Sequence, residues 1–316
     1  MNIESSWPQV ASILLCVLAT SALAVNPGQV STTAEIVCDF RAIAAQHPDP
    51  KLRNPDDLAD KLCPQKGQLP RPYEAARKFI DYSGEAYAGY FYVNARTMHI
   101  DAALERAVAA GATQVVVMGA GFDSRAYRFH ARHPHLRFFE VDLPATLEEK
   151  KNRLIMVYGA VPDYVRYASI DFDRQRLEDV LPALGYDPKQ RAFFLLEGVT
   201  MYVKEAGNAV TMRFIRANSP PGSRVVYDYI IRQVIDGRFN DLYAVGGVAV
   251  GVALLGEPFV TGWTPEGAAA FARKNGLRVV EDLGPKELTR RYLIGSDGKP
   301  DGRMVDGHRI IEAMVP

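Results

Sequence analysis

Two short motifs stand where a nucleotide-like ligand could bind. Gly119-Ala120-Gly121 follows the apolar run Gln114 to Met118, and Glu140-Val141-Asp142 closes a second apolar run about twenty residues further on. Glycines let a backbone turn tightly and approach a ligand, and an acidic side chain at the end of the second strand accepts the hydroxyls of an adenosine ribose. The spacing predicts a nucleoside site with Gly119, Gly121 and Asp142, and with Glu140 as the alternative to Asp142. A plain strand-to-helix turn is the other interpretation of the glycines.

The residues after the glycines bear on the kind of nucleoside. Ser124 stands where a dinucleotide-binding turn has a third glycine or an alanine, which argues against NAD. Asp123 favours a ligand that carries an amino acid group over one that carries a pyrophosphate, because a carboxylate repels phosphate. S-adenosylmethionine is a nucleoside of this kind.

Two further acidic residues follow predicted strands. Asp171 lies in Ile170-Asp171-Phe172, and Glu197 comes directly after the apolar run Ala192 to Leu196. Ligands of open α/β sheets bind beyond the carboxyl ends of the strands, so both side chains are candidates for the same crevice. Capping of a following helix is the alternative role for Asp171.

The elements that must position these residues alternate along the chain. Short apolar runs are followed by segments of helix length that begin near Pro144, Arg174 and Lys204. Alternating strands and helices predict a mostly parallel sheet covered on both faces. We expect an N-terminal extension at residues 1–28, a helical cap at 29–110 and a Rossmann-like domain at 111–316.

Four ordered motifs carry a resemblance to a known family. The runs VVVMGAGFDSRAYRF, FFEVDLPATLEEKK, IDFD and FFLLEGVTMYV resemble the leucine carboxyl methyltransferase family, especially its bacterial small-molecule branch. The resemblance implies an α/β, Rossmann-like class I methyltransferase fold with a mostly parallel seven-stranded sheet, helices on both faces and an N-terminal helical cap. It also implies S-adenosylmethionine as the cofactor and methylation of an oxygen, on a carboxylate or a hydroxyl. The cofactor pocket that it implies contains Arg96, Gly119, Asp142, Asp171 and Glu197.

The resemblance gives Arg96 a particular role. Within Asn94-Ala95-Arg96-Thr97, this arginine would hold the methionine carboxylate of the cofactor as a forked, charged donor. No motif identifies the methyl acceptor or a catalytic base. Tyr202 and four aromatic residues of the cap either line an acceptor site or pack in the core; the four are Tyr87, Tyr90, Phe91 and Tyr92. The small-residue run Ala244 to Gly256 is either a lid or a buried helix.

Composition narrows the partners. Lys and Arg number 37 and Asp and Glu number 37, so the balanced charge gives no support for a nucleic-acid surface. Cys16, Cys38 and Cys63 lie far apart without a C-x-x-C pair, which indicates neither a zinc module nor a disulfide framework. We expect no metal site, because the histidines at 130, 133 and 135 surround Pro134 in a loop.

The N-terminus leaves the compartment open. Val10 to Val25 is an apolar run that ends in Ala22-Leu23-Ala24, as in a signal peptide, yet no Lys or Arg precedes it. The cofactor favours a cytoplasmic protein, while the run favours export or a membrane anchor. An NAD-dependent oxidoreductase and a non-catalytic nucleoside-binding regulatory protein are the alternative functions.

Overall fold

A computed structural model describes residues 28–63, 69–70, 72–172 and 174–316. The apolar run Val10 to Val25 lies outside the described residues, so export and membrane anchoring stay predictions. Within those ranges, every helix is too short or too polar to cross a bilayer.

Helices occupy the chain before the sheet. The first begins after Ser31, whose hydroxyl accepts the N–H of Ala34 at 3.2 Å and so satisfies a free donor of the first turn. In chain order the helices are α1 (Thr32–Ala44), α2 (Ala59–Leu62), α3 (Tyr73–Ser83), a short 3-10 turn (Gly84–Tyr87) and α4 (Gly89–Ala109). The helical character predicted for the cap is confirmed. The division into extension, cap and domain stays a prediction.

In the described part of the chain, eight strands form one sheet. They are β1 (Gln114–Met118), β2 (Arg137–Asp142), β3 (Val165–Ser169), β4 (Ala192–Leu196), β5 (Arg224–Ile231), β6 (Gly262–Trp263), β7 (Arg278–Leu283) and β8 (His308–Met314). The main order is β3-β2-β1-β4-β5-β8-β7, and β6 pairs only with β5. Strands β1 to β6 pair in parallel, whereas β8 runs antiparallel to both β5 and β7. The Rossmann-like fold is confirmed, and the expected count of seven is corrected to eight by the two-residue strand β6.

Helices connect the strands and cover the sheet. They are α5 (Arg125–Arg132), α6 (Pro144–Tyr158), α7 (Leu177–Val180), α8 (Glu205–Ala217), α9 (Arg232–Ile235), α10 (Val245–Leu254), α11 (Pro265–Lys274) and α12 (Pro285–Tyr292), with a 3-10 turn at Pro182–Leu184. Helix α6 shows the local logic: proline occupies its first position, and left-handed Gly159 (φ +79°) ends it.

The apolar core lies on both faces of the sheet. All five residues of β1 are buried, and they alternate between the faces: Val115 and Val117 pack on one side, and Val116 and Met118 on the other. A strand buried on both faces reads as a continuous apolar run, which is why β1 was recognisable from the sequence. This rigid centre fixes the carboxyl ends of the parallel strands at one edge.

A disulfide joins Cys38 and Cys63, so the expectation of no disulfide framework is wrong. Helices α1 and α2 lie side by side, which brings the two Cα atoms to 5.5 Å although the cysteines are 25 residues apart in sequence. Sequence spacing alone does not contain that proximity. The bridge fastens α1 to α2 beside the buried ring of Phe122.

Candidate functional site

A cavity of about 390 Å³ opens at the carboxyl edge of the parallel strands. All seven residues that the sequence nominated line it: Arg96, Gly119, Gly121, Asp123, Asp142, Asp171 and Glu197. The structure therefore brings the nominated set together in one place. Whether they bind the cofactor stays a prediction.

The glycine turn after β1 needs its glycines. Gly119 has φ +65°, and a Cβ built on it would overlap Cγ2 of Val199. Gly121 has φ +42°, and its N–H donates to Oδ2 of Asp142 at 2.5 Å. Left-handed φ and close packing both exclude larger side chains at position 119. The turn is thereby held against the end of β2.

Asp142 is fixed by the backbone around it. Its second oxygen accepts the N–H of Leu143 at 2.6 Å, and burial raises the pKa of the carboxyl despite these two donors. Glu140, the alternative candidate, is fully buried and forms an ion pair with Lys150 at 2.7 Å. It is not among the residues that line the cavity, so the geometry favours Asp142.

Arg96 sits between two carboxylates. Its Nη1 donates to Oδ2 of Asp228 at 2.6 Å, and its Nε lies 2.9 Å from Oε1 of Glu197. Burial by itself would lower the pKa of this guanidinium, but the carboxylates of Glu197 and Asp228 outweigh burial and raise it. Arg96 is therefore charged and held rigidly at the cavity wall.

Glu197 is paired on its other side as well. Nη1 of Arg125 donates to Oε2 of Glu197 at 2.6 Å, and Arg125 also contacts Asp123 and Asp101. Burial would raise the pKa of the Glu197 carboxyl, but the charges of Arg125 and Arg96 hold it well below its usual range. The floor of the crevice is thus an ordered network of alternating charges.

Asp123 and Asp171 line the cavity in different settings. Asp123 accepts the N–H of Arg125 at 2.7 Å and pairs with its guanidinium, so part of its capacity is used within the chain. Asp171 does not cap α7, because that helix begins after Arg176. The backbone N–H of Asp171 donates to the Gln175 side chain at 3.0 Å.

The aromatic candidates divide into two groups. Tyr92 and Tyr202 line the cavity. Tyr87 and Tyr90 pack with their rings 6.0 and 5.9 Å from that of Phe40 and, like Phe91, are not among the lining residues. Helix α10 forms part of the cavity wall, and of its described residues Val245 alone is buried. The interpretation of this segment as a plain buried helix is therefore wrong.

Among the charged and imidazole side chains that line the cavity, the sequence analysis did not nominate Arg41, Glu257 and His308. His308 opens β8, and its ring lies 4.6 Å from that of Tyr92. Because β8 is antiparallel, its beginning lies at the edge where the parallel strands end, so a search of residues after strands misses it. Residues that precede a predicted antiparallel strand would have been the signal.

Charge is unevenly distributed in the cavity. Among the described lining residues, five are acidic and two, Arg41 and Arg96, are arginines; the acidic ones are Asp123, Asp142, Asp171, Glu197 and Glu257. Nη2 of Arg41 donates to the carbonyl of Phe122 and its Nε to Asp56, both at 2.8 Å. The wall therefore favours a ligand with positive charge over a polyanion.

Residues 34–216 match the family model for leucine carboxyl methyltransferases. The chain belongs to the leucine carboxyl methyltransferase family, and its relatives are named as S-adenosyl-L-methionine-dependent methyltransferases, so the resemblance and the predicted cofactor are confirmed.

Individual relatives agree with the family match. The chain is 29% identical over 199 residues to the "Putative S-adenosyl-L-methionine-dependent methyltransferase YktD" of Bacillus subtilis, a match that covers 63% of this chain and 65% of that protein. A Streptomyces avermitilis protein with the same general name is 31% identical over 71% of this chain and 77% of its own length. A third, from Streptomyces coelicolor, is 33% identical over 67% of this chain and 73% of its own length.

Proposed function

We propose that this protein transfers the methyl group of S-adenosylmethionine to an oxygen atom, carboxylate or hydroxyl, of a small-molecule acceptor. The observation that carries the proposal is the excess of carboxylates where the strands end. S-adenosylmethionine combines a sulfonium, an ammonium and one carboxylate, so it is a net cation. Asp142, Asp171 and Glu197 suit such a ligand.

The donor set fits the parts of that cofactor. Asp142, anchored by two backbone N–H groups, presents a carboxylate of fixed orientation for the ribose hydroxyls. Asp171 at the end of the neighbouring strand suits the nucleoside on the same side, and Arg96 suits the methionine carboxylate. Asp228 and Glu197 already engage two nitrogens of Arg96, so they orient the guanidinium for its ligand.

Methyl transfer depends more on how the protein positions the acceptor than on acid or base catalysis. S-adenosylmethionine supplies, when bound, a methyl group on a positively charged sulfur. The chain's contribution would be to hold the acceptor oxygen in line with that methyl group, an effect worth up to roughly 7 to 11 kcal/mol in ideal cases. A carboxylate acceptor needs no proton removed, whereas a hydroxyl does.

The alternative enzyme function, that of an NAD-dependent oxidoreductase, conflicts with the negative charge of the cavity wall. A pyrophosphate would face the carboxylates of Asp123 and Asp142, with Ser124 in place of the third glycine. A non-catalytic nucleoside binder would need no apolar wall besides the cofactor site, yet Val252 and Phe259 also line the cavity.

Calorimetric titration of the full chain with S-adenosylmethionine and with NAD tests the cofactor. We expect binding of the first and no heat from the second; the reverse result would overturn the proposal. Mass spectrometry of a cell extract incubated with the protein and methyl-labelled cofactor then tests transfer. Label in an oxygen ester or ether of a small molecule supports the proposal, and label only on nitrogen or carbon contradicts it.

A further inference from the structure

The cavity has a second half that is apolar. Beyond the charged residues at the strand ends, side chains from α1, α10 and the segment after α10 form the wall; they are Ile36, Val37, Phe40, Val248, Val252, Leu255 and Phe259. This half is built by the helical elements that pack over the sheet edge. A ligand that continues from the cofactor toward α10 therefore meets hydrocarbon.

Helix α10 gives this half its shape. The chain from Leu242 to Gly256 contains no charged residue, and the helix turns one face to the cavity, with lining residues at 247, 248, 251, 252 and 255. A Cβ built on Gly247 or on Gly251 would have no heavy atom within 4 Å, and neither glycine has positive φ. The two glycines leave open space that the fold does not need for its own packing.

The charged groups near this half are already engaged. Glu257 accepts hydrogen bonds from Ser31 Oγ at 3.2 Å and the Thr32 N–H at 2.9 Å, and it contacts the Thr33 hydroxyl. Arg41 is held by Asp56. The proposed function assigns Arg96 to the cofactor, so a phosphate on the acceptor would find only Arg41 among the described cationic lining residues, and Arg41 already pairs with Asp56.

One uncharged polar ring lies where the two halves meet. His308 lines the cavity and is 9% exposed, while its Nδ1 is buried away from the cavity space. Burial, and next the charge of Arg96, lowers the pKa of His308 to about 3, so the ring is neutral at pH 7. A neutral imidazole can hydrogen-bond one ligand oxygen through a ring nitrogen, as a donor or an acceptor according to its tautomer.

From this arrangement we infer that the methyl acceptor is a lipophilic molecule with one terminal oxygen function, whose hydrocarbon body lies against Gly247 and Gly251 of α10 and whose oxygen lies at His308. The inference rests on the proposed function for the identity of the reaction. It goes further in naming the class of substrate. Apolar contact supplies the affinity, and the single histidine contact orients the reacting end.

Calorimetric titrations with defined probes test this assignment. Dodecanoic acid and dodecan-1-ol represent the lipophilic class, and butanoic acid and gluconic acid are the short and the polar comparators. Each is titrated into the full chain with and without S-adenosylhomocysteine. We expect both twelve-carbon probes to bind at least about tenfold more tightly than both comparators, because each buried methylene adds to the affinity.

A matched pair of variants locates the binding. Gly251→Leu fills the open space, whereas Ala253→Leu adds the same side chain to α10 at a residue that does not line the cavity. We expect Gly251→Leu to weaken the twelve-carbon probes by about tenfold or more and to leave butanoic acid unchanged. Ala253→Leu should behave like the wild type, and melting curves confirm that both variants fold.

The outcomes separate this inference from the proposed function. Equal binding of gluconic acid and dodecanoic acid overturns the inference, as does equal behaviour of the two leucine variants. A wild-type chain that binds the twelve-carbon probes but not S-adenosylmethionine supports the lipophilic site and contradicts the proposed cofactor chemistry. A chain that binds S-adenosylmethionine but neither twelve-carbon probe supports the proposed cofactor and contradicts the lipophilic site.

Discussion

The carboxylate of Glu257 accepts the backbone N–H of Thr32 at 2.9 Å, across 225 positions of sequence. This contact ties the segment after α10 to the first turn of α1. Because a helix N-terminus carries partial positive charge and free N–H groups, a carboxylate there is stabilising. The two helices that wall the apolar half of the cavity are thus joined through one side chain.

Replacement of that carboxylate should loosen the wall. We expect Glu257→Gln to lower the free energy of unfolding by about 1.5 to 3 kcal/mol, since hydrogen bonds to a charged group are lost, and to weaken S-adenosylmethionine binding because α1 lines the cavity. Urea unfolding and calorimetry measure the two effects. The exposed Glu266→Gln is the matched control, and equal values for the two variants would contradict the tie.

The ribose contact is tested at Asp142. Asp142→Asn keeps the shape and removes the charge, and we expect S-adenosylmethionine to bind about 1.5 to 3 kcal/mol more weakly, measured by calorimetry. Asp187→Asn is the control, because that carboxylate also accepts a backbone N–H, from Lys189 at 2.9 Å, but does not line the cavity. Unchanged affinity in a folded Asp142→Asn protein would rule Asp142 out.

Reduction of the disulfide should destabilise the chain. A bridge that closes a loop of this size removes entropy from the unfolded state worth about 3 kcal/mol, so dithiothreitol should lower the free energy of unfolding by about that amount. The Cys38→Ser variant should start lower and show no response to reductant, while Cys16→Ser keeps the response. Denaturant curves with and without reductant decide; a wild-type curve that does not move shows that the bridge does not form in solution.

His308 predicts a pH dependence of stability. The pKa of His308 in the folded chain is about 3, against an ordinary value of 6.5. Between these pH values, His308 is therefore protonated in the unfolded chain and neutral in the folded chain. Stability from this group is therefore present above pH 6.5 and is lost as the pH falls towards 3, with a slope of up to about 1.4 kcal/mol per pH unit.

The variant His308→Gln isolates this contribution. The difference in free energy of unfolding between wild type and variant should be constant above pH 7, where histidine is neutral in both states, and should shrink as the pH is lowered to 4.5. Urea titrations at a series of pH values give the difference. A difference that stays constant throughout would mean that His308 is not buried as described.

The strands of the sheet were easier to predict from the sequence than the contacts that shape the cavity. Strand β1 was evident because burial on both faces demands an unbroken apolar run, and the turn at Gly119 was evident because left-handed backbone selects glycine. Contacts between segments that are distant in sequence produce no such local pattern. Asp228 lies inside the buried strand β5, and the residues next to it in sequence do not indicate its ion pair with Arg96.

The two-residue strand β6 and the pairing of Cys38 with Cys63 were missed for a related reason. Both depend on where packed elements come to lie: β6 extends the parallel ladder by two pairs, Ile230 with Gly262 and Ile231 with Trp263. Local propensity is silent on such short pairings, because tertiary packing decides them.

The antiparallel insertion of β8 between β5 and β7 has a consequence for the partly unfolded protein. If β8 leaves the sheet, the unpaired backbones of β5 and β7 are both uncovered, and exposed strand edges recruit other chains. A molecule that contacts His308 holds the first residue of β8 in place and thereby opposes this opening. Occupancy of the cavity and resistance to aggregation are in this way linked through one strand.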